Sequence, residues 1–494
     1  MRTGEQSVQE MLTGRIQASP DTLLDEIVLQ PQFIYELQHL LPYYIQIEKA
    51  MLSEYERLEL ISSTAAQEIV QLLTQITDET LAADPQINMS DISFAIERYV
   101  EMHMSSRCVA WHVDRSRNDV QATAQIMFAK EKLLSTIEAL LTFSQMLQIL
   151  AEATIDLPMP GYTHYQAAQI ITVGFYITAI NEQIGKTIQR LQTLLDEIDE
   201  CPLGSGAMAG LELPWNRHAL AQILCFARPT RHALFGVASK EWLLHIAAEL
   251  STLSVALSRF ITDLITWGSS EYRLIDLPDQ LSGISSAMPQ KKNFPILERI
   301  RGKTAHISAY YIDFVMTQRN TPYTNLVETA KEGGSNFFIM MQTMEALLKL
   351  FTTLTQHLEF RKERLYALCT QEFLGGFTLA NLLTLETGIP YRQAQVLAGR
   401  YIVAMMAQQR LPNEVDISTL RLLCHEEGYI LSFDEEALRR AFSIEHNLLN
   451  KCTFGSTHPK EVAALLEQQK EERHRQRLTF EMHRERIITA SKIC

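Results

Sequence analysis

The chain has 494 residues, of which 46% are hydrophobic and 21% are charged, and its formal net charge at pH 7 is −14. This length exceeds the size at which one hydrophobic core keeps growing, and the composition is that of a globular protein, so two or three folded domains are expected. The negative charge argues against a general nucleic-acid binder, because affinity for phosphate backbones comes from clustered Lys and Arg.

Seven cysteines are scattered along the chain. The closest pair, Cys201 and Cys225, is separated by 24 positions, which fits neither a zinc-binding CxxC pair nor a compact disulfide framework. Residues 1–20 contain no apolar segment of the secretory type, and no continuous apolar run approaches the roughly 18 residues of a membrane span. We therefore expect a cytoplasmic protein with reduced thiols and no membrane partner.

The prolines are sparse, and the long segments between them carry apolar residues at helical spacing. Residues 180–198, 243–264 and 337–351 have apolar side chains three or four positions apart, which predicts long helices. Such helices have more than one apolar side and must bury against several neighbours, as in a helix bundle. Strand-like alternation is scarce, so an all-α fold is predicted.

Three helical domains are predicted, with boundaries near residues 115 and 365. An N-terminal domain (1–115) precedes a central domain of long helices (116–365) and a smaller C-terminal domain (366–494). Near the end of the chain, residues 459–486 mix Glu, Lys and Arg at helical spacing, which is typical of a solvated helix.

The first polar segment, WHVDRSRNDVQAT, covers residues 111–123. Arg115, Arg117 and Asn118 could converge on a carboxylate, because guanidinium offers a planar fork of donors and an amide both donates and accepts. The alternative is a helix start, in which Ser116 or Asn118 caps the N-terminus and the arginines are solvated or ion-paired.

A second segment, PMPGYTHYQAAQ at residues 158–169, joins two of the long helical regions. Its prolines and glycine predict a rigid connection that presents Thr163 and His164 where the chain turns. Histidine exchanges protons near neutral pH, although a lone histidine is more often a hydrogen-bonded structural residue.

The third segment, GISSAMPQKKNFPILERIRGK, covers residues 283–303 and becomes helical at its end. Its hydroxyl, amide and ammonium groups suit the binding of a dianion, because they supply both charge and directed donors. The groups in question are Ser285, Ser286, Lys291, Lys292 and Asn293. An exposed basic turn is the alternative.

All three segments resemble the signature motifs of the fumarase/aspartase superfamily, and the third resembles its argininosuccinate lyase branch in particular. Similar matches occur at YTNLVETAK (323–331), at 375–400 and at 455–459, so the resemblance covers nearly the whole chain. It implies a homotetramer in which the central bundles form a shared core and each active site is assembled from three subunits.

The resemblance also implies a role for each matching residue. Ser285 is expected to be the catalytic base, and His164 to take part in proton transfer while Glu298 raises its basicity by pairing with it. Lys291 and Asn293 are expected to hold a dianionic intermediate. The other residues expected to contact substrate are Ser116, Arg117, Asn118, Thr163, Ser286, Tyr323, Glu328 and Lys331. No metal or organic cofactor is needed, because the chemistry uses only an acid, a base and electrostatics.

The implied function is a carbon–nitrogen lyase that eliminates fumarate from an N-substituted aspartate, with argininosuccinate as the first candidate substrate and arginine biosynthesis as the setting. One alternative is the same elimination, or the reverse addition to fumarate, with a different amine. Another is a catalytically silent relative of the kind found among lens crystallins.

Several positions depart from the motifs of this branch. Ile284 replaces a glycine before the paired serines, and Phe294 displaces the proline that follows the asparagine, so both alter the loop. Val113 replaces a threonine, and residues 26–31 lack an expected substrate-contacting serine. Glu328 replaces a glutamine, and its added negative charge favours a cationic amine.

Overall fold

The computed structural model describes residues 15, 16 and 18–493, and it describes the side chains of this part only up to residue 487. The prediction that residues 1–20 contain no secretory segment therefore concerns residues that lie mostly outside the described part of the chain. The α-helices are α1 (Thr22–Leu24), α2 (Gln30–His39), α3 (Leu41–Arg57), α4 (Ser63–Gln75), α5 (Ile92–His103), α6 (Arg117–Ala153), α7 (Val173–Glu197), α8 (Arg217–Ile223), α9 (Ala233–Ala238), α10 (Glu241–Trp267), α11 (Pro295–Gln318), α12 (Phe337–His357), α13 (Lys362–Gln371), α14 (Gly376–Thr387), α15 (Tyr391–Ala407), α16 (Ile417–Glu426), α17 (Glu435–Ala441), α18 (Ile444–Leu449) and α19 (Pro459–Ile493).

Short strands and tight helical turns complete the described chain. The antiparallel pairs are β1 (Pro158–Thr163) with β2 (Gln166–Thr172), β5 (Ile275–Asp276) with β8 (Glu359–Phe360), and β6 (Gly283–Ile284) with β7 (Lys292–Asn293). The strands β3 (Glu200–Cys201) and β4 (Arg228–Pro229) are parallel. The π-helical turns are Asp25–Leu29 and Glu328–Glu332, and Asp279–Leu281 is a 3-10 turn.

The centre of the molecule is a bundle of the long helices α6, α7, α10, α11 and α12. The apolar spacing that predicted α7, α10 and α12 corresponds to buried faces, as for Ile184, Ile188 and Leu191 on α7. These faces meet in one large hydrophobic core that also takes in side chains of α2 to α5. The predicted all-α fold with a central long-helix bundle is confirmed.

Within the described residues, three helical segments are long and apolar enough, by length and composition alone, to cross a membrane. They are Arg117–Ala153, Glu241–Trp267 and Glu328–His357. The expectation that nothing approaches a membrane span is therefore wrong for average hydropathy, although it holds for continuous apolar runs. About half of each apolar window is buried inside the bundle (56%, 44% and 44%), so helix packing accounts for much of this composition.

A second hydrophobic core lies towards the end of the chain, within α14 to α17. Leu379, Leu383, Leu397, Tyr401 and Leu420 are fully buried there, in a cluster separate from that of the bundle. The proposed domain boundaries near residues 115 and 365 stay predictions.

The helix predicted near the end of the chain is observed, but one of its faces is packed rather than solvated. α19 packs on α6 and α7 and buries Val462, Leu466 and Phe480. It also buries two glutamines, of which Gln469 donates to the Thr178 carbonyl at 3.0 Å. The apolar residues are too sparse to form a visible stripe, and the second buried glutamine, Gln476, donates to the Gly185 carbonyl at 2.9 Å.

Candidate active site

The first polar segment forms the start of α6. Ser116 is the N-cap, and its hydroxyl accepts the N–H of Asn118 at 3.2 Å. Arg117 forms an ion pair with Asp91 at 2.7 Å, and Arg115 pairs with the buried carboxylate of Glu48. Of the two alternatives, the capped helix start with ion-paired arginines is therefore the one observed. Because the Arg115 guanidinium is already paired with Glu48, it is not free to bind the carboxylate of a ligand.

Arg115 belongs to a buried charge network beneath this helix start. His112 lies 3.4 Å from Glu48 and 3.1 Å from Glu97. Although burial acts to raise the pKa of Glu48, pairing with Arg115 and His112 lowers it to about 2. The network ties the segment before α6 to α3 and α5.

Two residues in the first turn of α6, Asn118 and Asp119, hold a glycine-containing loop. Asp119 is 2% exposed, and its Oδ2 accepts the N–H groups of Gly204 at 2.8 Å and Gly206 at 2.9 Å. Both glycines have positive φ (85° and 61°), a conformation that favours glycine. Asn118 Nδ2 donates to the carbonyl of Ala207 in the same loop at 3.2 Å. The loop therefore fixes the orientation of the Asn118 amide.

Beside Asn118 lies a charged cavity of about 190 Å³, which we call the Glu36 cavity. Glu36, on α2, is 2% exposed and accepts from Gln121 Nε2 at 3.1 Å. Burial raises the pKa of this carboxyl, and Lys331 Nζ, 3.6 Å away, acts in the opposite direction. The cavity is lined by Glu36, Tyr44, Asp91, Ile92, Ser93, Arg117, Asn118, Gln121, Asn325, Val327, Ala330 and Lys331.

Lys331 reaches this cavity from the π-helical turn Glu328–Glu332, a rare geometry that is frequent at functional sites. Behind the turn, Gln125 Nε2 donates to the Ala330 carbonyl at 2.6 Å, and Gln125 Oε1 accepts from Lys240 Nζ at 3.2 Å. Burial lowers the pKa of Lys240 to about 8. These contacts hold the turn against α6 and α10.

The second segment forms a β-hairpin rather than an irregular connection. His164 and Tyr165 make its two-residue turn, and both have positive φ (53° and 61°), as in a type I′ turn. His164 is exposed at the tip. Thr163, the last residue of β1, lines a separate cavity of about 630 Å³.

The third segment forms an exposed loop between β6 and β7. Ser285 Oγ accepts the backbone N–H of Met288 at 3.0 Å and that of Ala287 at 3.4 Å. Ser286 and Lys291 are exposed, and Lys291 makes no ion pair within the described part of the chain. Two donors therefore point at the oxygen of the serine expected to act as base.

Two further residues close this loop at its base. Asn293 is half-buried in β7, where it pairs with Gly283. Lys292 pairs with Asp276 at 3.1 Å and with Asp279 at 3.4 Å. Lys292 is therefore engaged at the base of the loop, and the neighbouring Lys291 is the cation available to a ligand.

The departures from the family motif have visible structural consequences here. Ile284 is 93% exposed, so its side chain has no packing role in this chain. Phe294 lies against Gly268 at the end of α10, and the proline displaced by one position, Pro295, begins α11. Proline suits the first turn of a helix, because the N–H that it lacks has no helical partner there.

The remaining site residues lie at different places on the surface. Glu298 is exposed in the first turn of α11. Tyr323 is 63% exposed and lines a cavity with Arg228, Arg231 and His232. Glu328 is exposed at the start of the π-helical turn.

One chain thus brings together Arg117, Asn118 and Lys331 at the Glu36 cavity, and Ser116 lies beside them as the helix cap. Among the described side chains, no hydrogen bond or ion pair links these residues to Ser285, or Ser285 to His164 or Glu298. The other predicted site residues, Thr163, Ser286, Lys291, Asn293, Tyr323 and Glu328, lie on the hairpin, the loop and the segment before α12.

Sequence reasoning missed the residues that complete the Glu36 cavity. Glu36 itself lies in α2, between two prolines and among aromatic residues, and carries no motif signal. Asn325 lies inside a matched segment, YTNLVETAK, in which the motif implies roles only for Tyr323, Glu328 and Lys331. Asp91 is the N-cap of α5, and this capping role gives no indication in the sequence that Asp91 also lines the cavity. Within the described residues, no cluster of three or more His, Cys, Asp or Glu could hold a metal ion.

Comparison with solved structures defines the class of fold. The chain is similar to EDDS lyase in complex with formate, with a TM-score of 0.84, 23% identity and coverage of 94% of each chain. It is also similar to the class II fumarase of Schistosoma mansoni, with a TM-score of 0.69, 16% identity and coverage of 85% of this chain and 91% of the other. The fold is that of the fumarase/aspartase superfamily.

Comparison with known sequences then gives the family. A family model described as lyase matches residues 32–308. The argininosuccinate lyase of Synechococcus sp. (strain JA-3-3Ab) is 31% identical over 75% of this chain and 76% of its own length. Argininosuccinate lyase 1 of Shouchella clausii (strain KSM-K16) is 29% identical over 92% of each chain. The chain belongs to the lyase family that the matching model describes, and it is a lyase.

Proposed function

We propose that the protein eliminates fumarate from an N-substituted aspartate, and that argininosuccinate is the first substrate to test. Relatives named argininosuccinate lyase align with up to 93% of the chain. The observation that carries the proposal is the pair of backbone N–H groups directed at Ser285 Oγ. A serine hydroxyl is far too weak an acid to be a base at neutral pH unless donors stabilise its deprotonated oxygen.

The reaction assigns a role to each group. Ser285 removes the proton from the carbon beside a carboxylate, which places two negative charges on that carboxylate in the intermediate. Lys291 and Asn293 stabilise the dianion, because one supplies charge and the other a directed donor. The bond from the neighbouring carbon to nitrogen then breaks, fumarate forms, and an acid protonates the departing amine. His164, paired with Glu298, serves this proton transfer.

We infer further that the active form is a homotetramer whose sites combine residues of different chains. Two observations support this assembly. His164 and Glu298 are exposed in one chain and have no ion-pair partner within the described residues. Central helices also carry large exposed apolar side chains, such as Val255 on α10 and Ile312 and Met316 on α11, each more than half exposed.

A different amine half is the second candidate, and a specific observation favours it. Glu328 stands at the start of the turn that carries Lys331, where the family has a glutamine, and its negative charge opposes the extra carboxylate of an amine such as arginine. The structural neighbours named EDDS lyase fit the same alternative. The reverse addition of an amine to fumarate is included in this second candidate.

The test is the release of fumarate, followed by its ultraviolet absorbance, when the purified protein is mixed with argininosuccinate. We expect a steady rise for the wild type and a decrease of at least about 100-fold for Ser285→Ala, because the variant lacks the base. Ser282→Ala, which changes a hydroxyl at the base of the same loop, is the matched control and should retain most activity.

Three outcomes separate the candidates. A rise that Ser285→Ala abolishes supports both the reaction and the substrate. Silence with argininosuccinate but conversion of fumarate with another amine supports the second candidate. Silence with a panel of N-substituted aspartates and with fumarate plus amines would favour a catalytically silent relative and contradict the proposal.

A further inference from the structure

Lys240 is a buried lysine without a counter-ion among the described residues. It is the N-cap residue of α10 and is 5% exposed. Its hydrogen-bond partner is an amide oxygen, Gln125 Oε1 at 3.2 Å, and burial lowers its pKa with no carboxylate acting in the opposite direction. A buried charge of this kind costs stability, because burial removes its hydration. A contribution to stability therefore does not account for a lysine at this position.

The side chain of Gln125 links Lys240 to the π-helical turn. Gln125 lies on α6, where its Oε1 accepts from Lys240 and its Nε2 donates to the Ala330 carbonyl at 2.6 Å. A protonated lysine only donates and a carbonyl only accepts, so the two partners together fix one orientation of the amide. Lys240 thereby keeps the Gln125 donor directed at the turn.

The carbonyl that receives this bond belongs to the residue before Lys331. Ala330 is the third residue of the π-helical turn Glu328–Glu332 and is 3% exposed. The last carbonyls of a helical segment have no partner within it, and Gln125 supplies a donor to this one from outside. The bond therefore fixes the backbone from which the Lys331 side chain reaches the Glu36 cavity.

Little free space separates the turn from α10. A cavity of only about 20 Å³ lies between them, and Lys240, Ala330 and Lys331 all line it. A space of this size holds about one water molecule. Beside it, the rings of Trp242 and Phe337 pack edge to face with their centroids 5.4 Å apart. The Lys240 side chain and the turn are thus in close packing as well as linked by hydrogen bonds.

We propose that Lys240 is a positioning residue of the candidate active site, which acts through Gln125 to hold the π-helical turn and so places Lys331 for substrate binding. This inference rests on the proposed function, because Lys331 has a substrate to bind only if the protein is the lyase proposed above. The competing explanation is a purely structural role, in which Lys240 fills the space between α6, α10 and the turn.

The first variant is Lys240→Met, which keeps an unbranched side chain but has no donor. The values of kcat and KM are measured for fumarate release from argininosuccinate, or from another N-substituted aspartate that the wild type converts. We expect KM to rise about tenfold or more with little change in kcat, because Lys331 is assigned to binding rather than to the chemical step. The melting temperature should stay the same or rise, since a buried unpaired charge is removed. A structural role predicts a lower melting temperature instead.

A double-mutant cycle tests whether the effect passes through Lys331. Lys331→Met should raise KM by itself. Adding Lys240→Met to that variant should then change KM by less than about threefold, because the side chain to be positioned is absent. Effects that multiply in full would show that Lys240 acts independently of Lys331 and would overturn the inference.

Gln125→Glu tests the connecting amide, and it also guards against the possibility that Lys240→Met fails to fold. It keeps an acceptor for Lys240 but removes the donor to the Ala330 carbonyl, so KM should rise as in Lys240→Met. Lys132→Met is the matched control. Lys132 is a half-buried lysine of α6 that lies 3.8 Å from Glu131 and lines neither cavity, so this variant should keep the wild-type KM.

Hydrogen exchange of residues 328–334 gives a readout that does not depend on activity. We expect exchange to be about tenfold faster or more in Lys240→Met and unchanged in Lys132→Met, because the turn loses its anchor only in the former. Unchanged exchange, or a lower melting temperature with an unchanged KM, would overturn the inference. If the wild type releases fumarate from no aspartate conjugate while exchange is accelerated in Lys240→Met, the proposed function is wrong instead.

Discussion

At the scale of single residues, Asp119 shows how a buried charge can define a neighbouring site. Its carboxylate binds the loop that orients Asn118, through the N–H groups of Gly204 and Gly206. Burial raises the pKa of Asp119 to about 6, because the two hydrogen bonds only partly offset the lost hydration. Its Oδ1 is buried without a partner in the described structure.

The raised pKa of Asp119 predicts a pH-dependent stability. Between about pH 4 and pH 6 the folded state keeps a proton that the unfolded state has lost, so this group stabilises the fold less as pH rises through that window. Asp119→Asn removes the titration and keeps an oxygen for both glycine N–H groups. We expect the free energy of unfolding of the variant, relative to wild type, to rise by about 3 kcal/mol from pH 4 to pH 7.

Urea unfolding of both proteins at a series of pH values measures this difference. Asp114→Asn is a useful control, since Asp114 also binds a loop through backbone N–H groups, but its pKa is lowered by those bonds despite partial burial. Its titration should therefore change stability in the opposite direction. A difference for Asp119→Asn that does not vary with pH would contradict the prediction.

At the scale of elements, the junction between α6 and α7 depends on one glycine. A Cβ atom at Gly174 would lie 2.7 Å from the Ala151 carbonyl oxygen and 2.8 Å from Ile155 Cα, both of them backbone atoms. Gly174 N also donates to the Thr154 carbonyl at 2.9 Å. The first turn of α7 therefore packs directly on the end of α6, and this contact sets the direction from which the His164 hairpin leaves the bundle.

Gly174→Ala should destabilise the protein by about 3 kcal/mol or more, because backbone atoms must move to accept the methyl group. Gly302→Ala is the matched control within a helix, since a Cβ there meets nothing within 4 Å. That control should be neutral or stabilise α11 by up to about 1 kcal/mol. Thermal unfolding of the two variants gives the comparison, and equal melting temperatures would show that the junction is not rigid.

At the scale of the whole molecule, the predicted site residues occupy separate surfaces of one chain. Asn118 and Lys331 share the Glu36 cavity, whereas His164 lies at a hairpin tip and Ser285 in an exposed loop. A tetramer that combines these surfaces from different chains would assemble the complete set, and this is the arrangement proposed above.

If each active site combines residues of different chains, two variants that are inactive alone should restore activity in each other's presence. His164→Ala and Ser285→Ala should each be inactive alone. When the two are unfolded together and refolded as a mixture, we expect part of the activity to return, from sites that receive an intact His164 and an intact Ser285 from different chains. Fumarate absorbance measures the recovery, and light scattering measures the oligomer size.

Refolding each variant separately and then mixing the products is the control, because sites that combine the two variants form only when the chains assemble together. If the co-refolded mixture stays inactive although it forms tetramers, His164 and Ser285 act within one chain. An active monomer would contradict the shared-site arrangement directly.

The sequence alone determined the class of fold and the segments that form the candidate site. Long apolar stripes define α7, α10 and α12, because helical spacing and burial are local properties of the chain. Hydroxyl and amide side chains mark helix starts in the same way, as Ser116 does for α6. The motif segments also identify the family, because their residue types and spacing serve one chemistry.

Only the tertiary structure decided which of these residues meet and what else surrounds them. Glu36 and Asn325 lie 289 positions apart and share a cavity, a relation that no local pattern encodes. The burial of α19 depends in the same way on Gln469 and on partners in distant helices. The partner of a polar group, and the hydration that it loses, depend on the packing of elements far apart in sequence, so charge pairing and pKa shifts are properties of the fold.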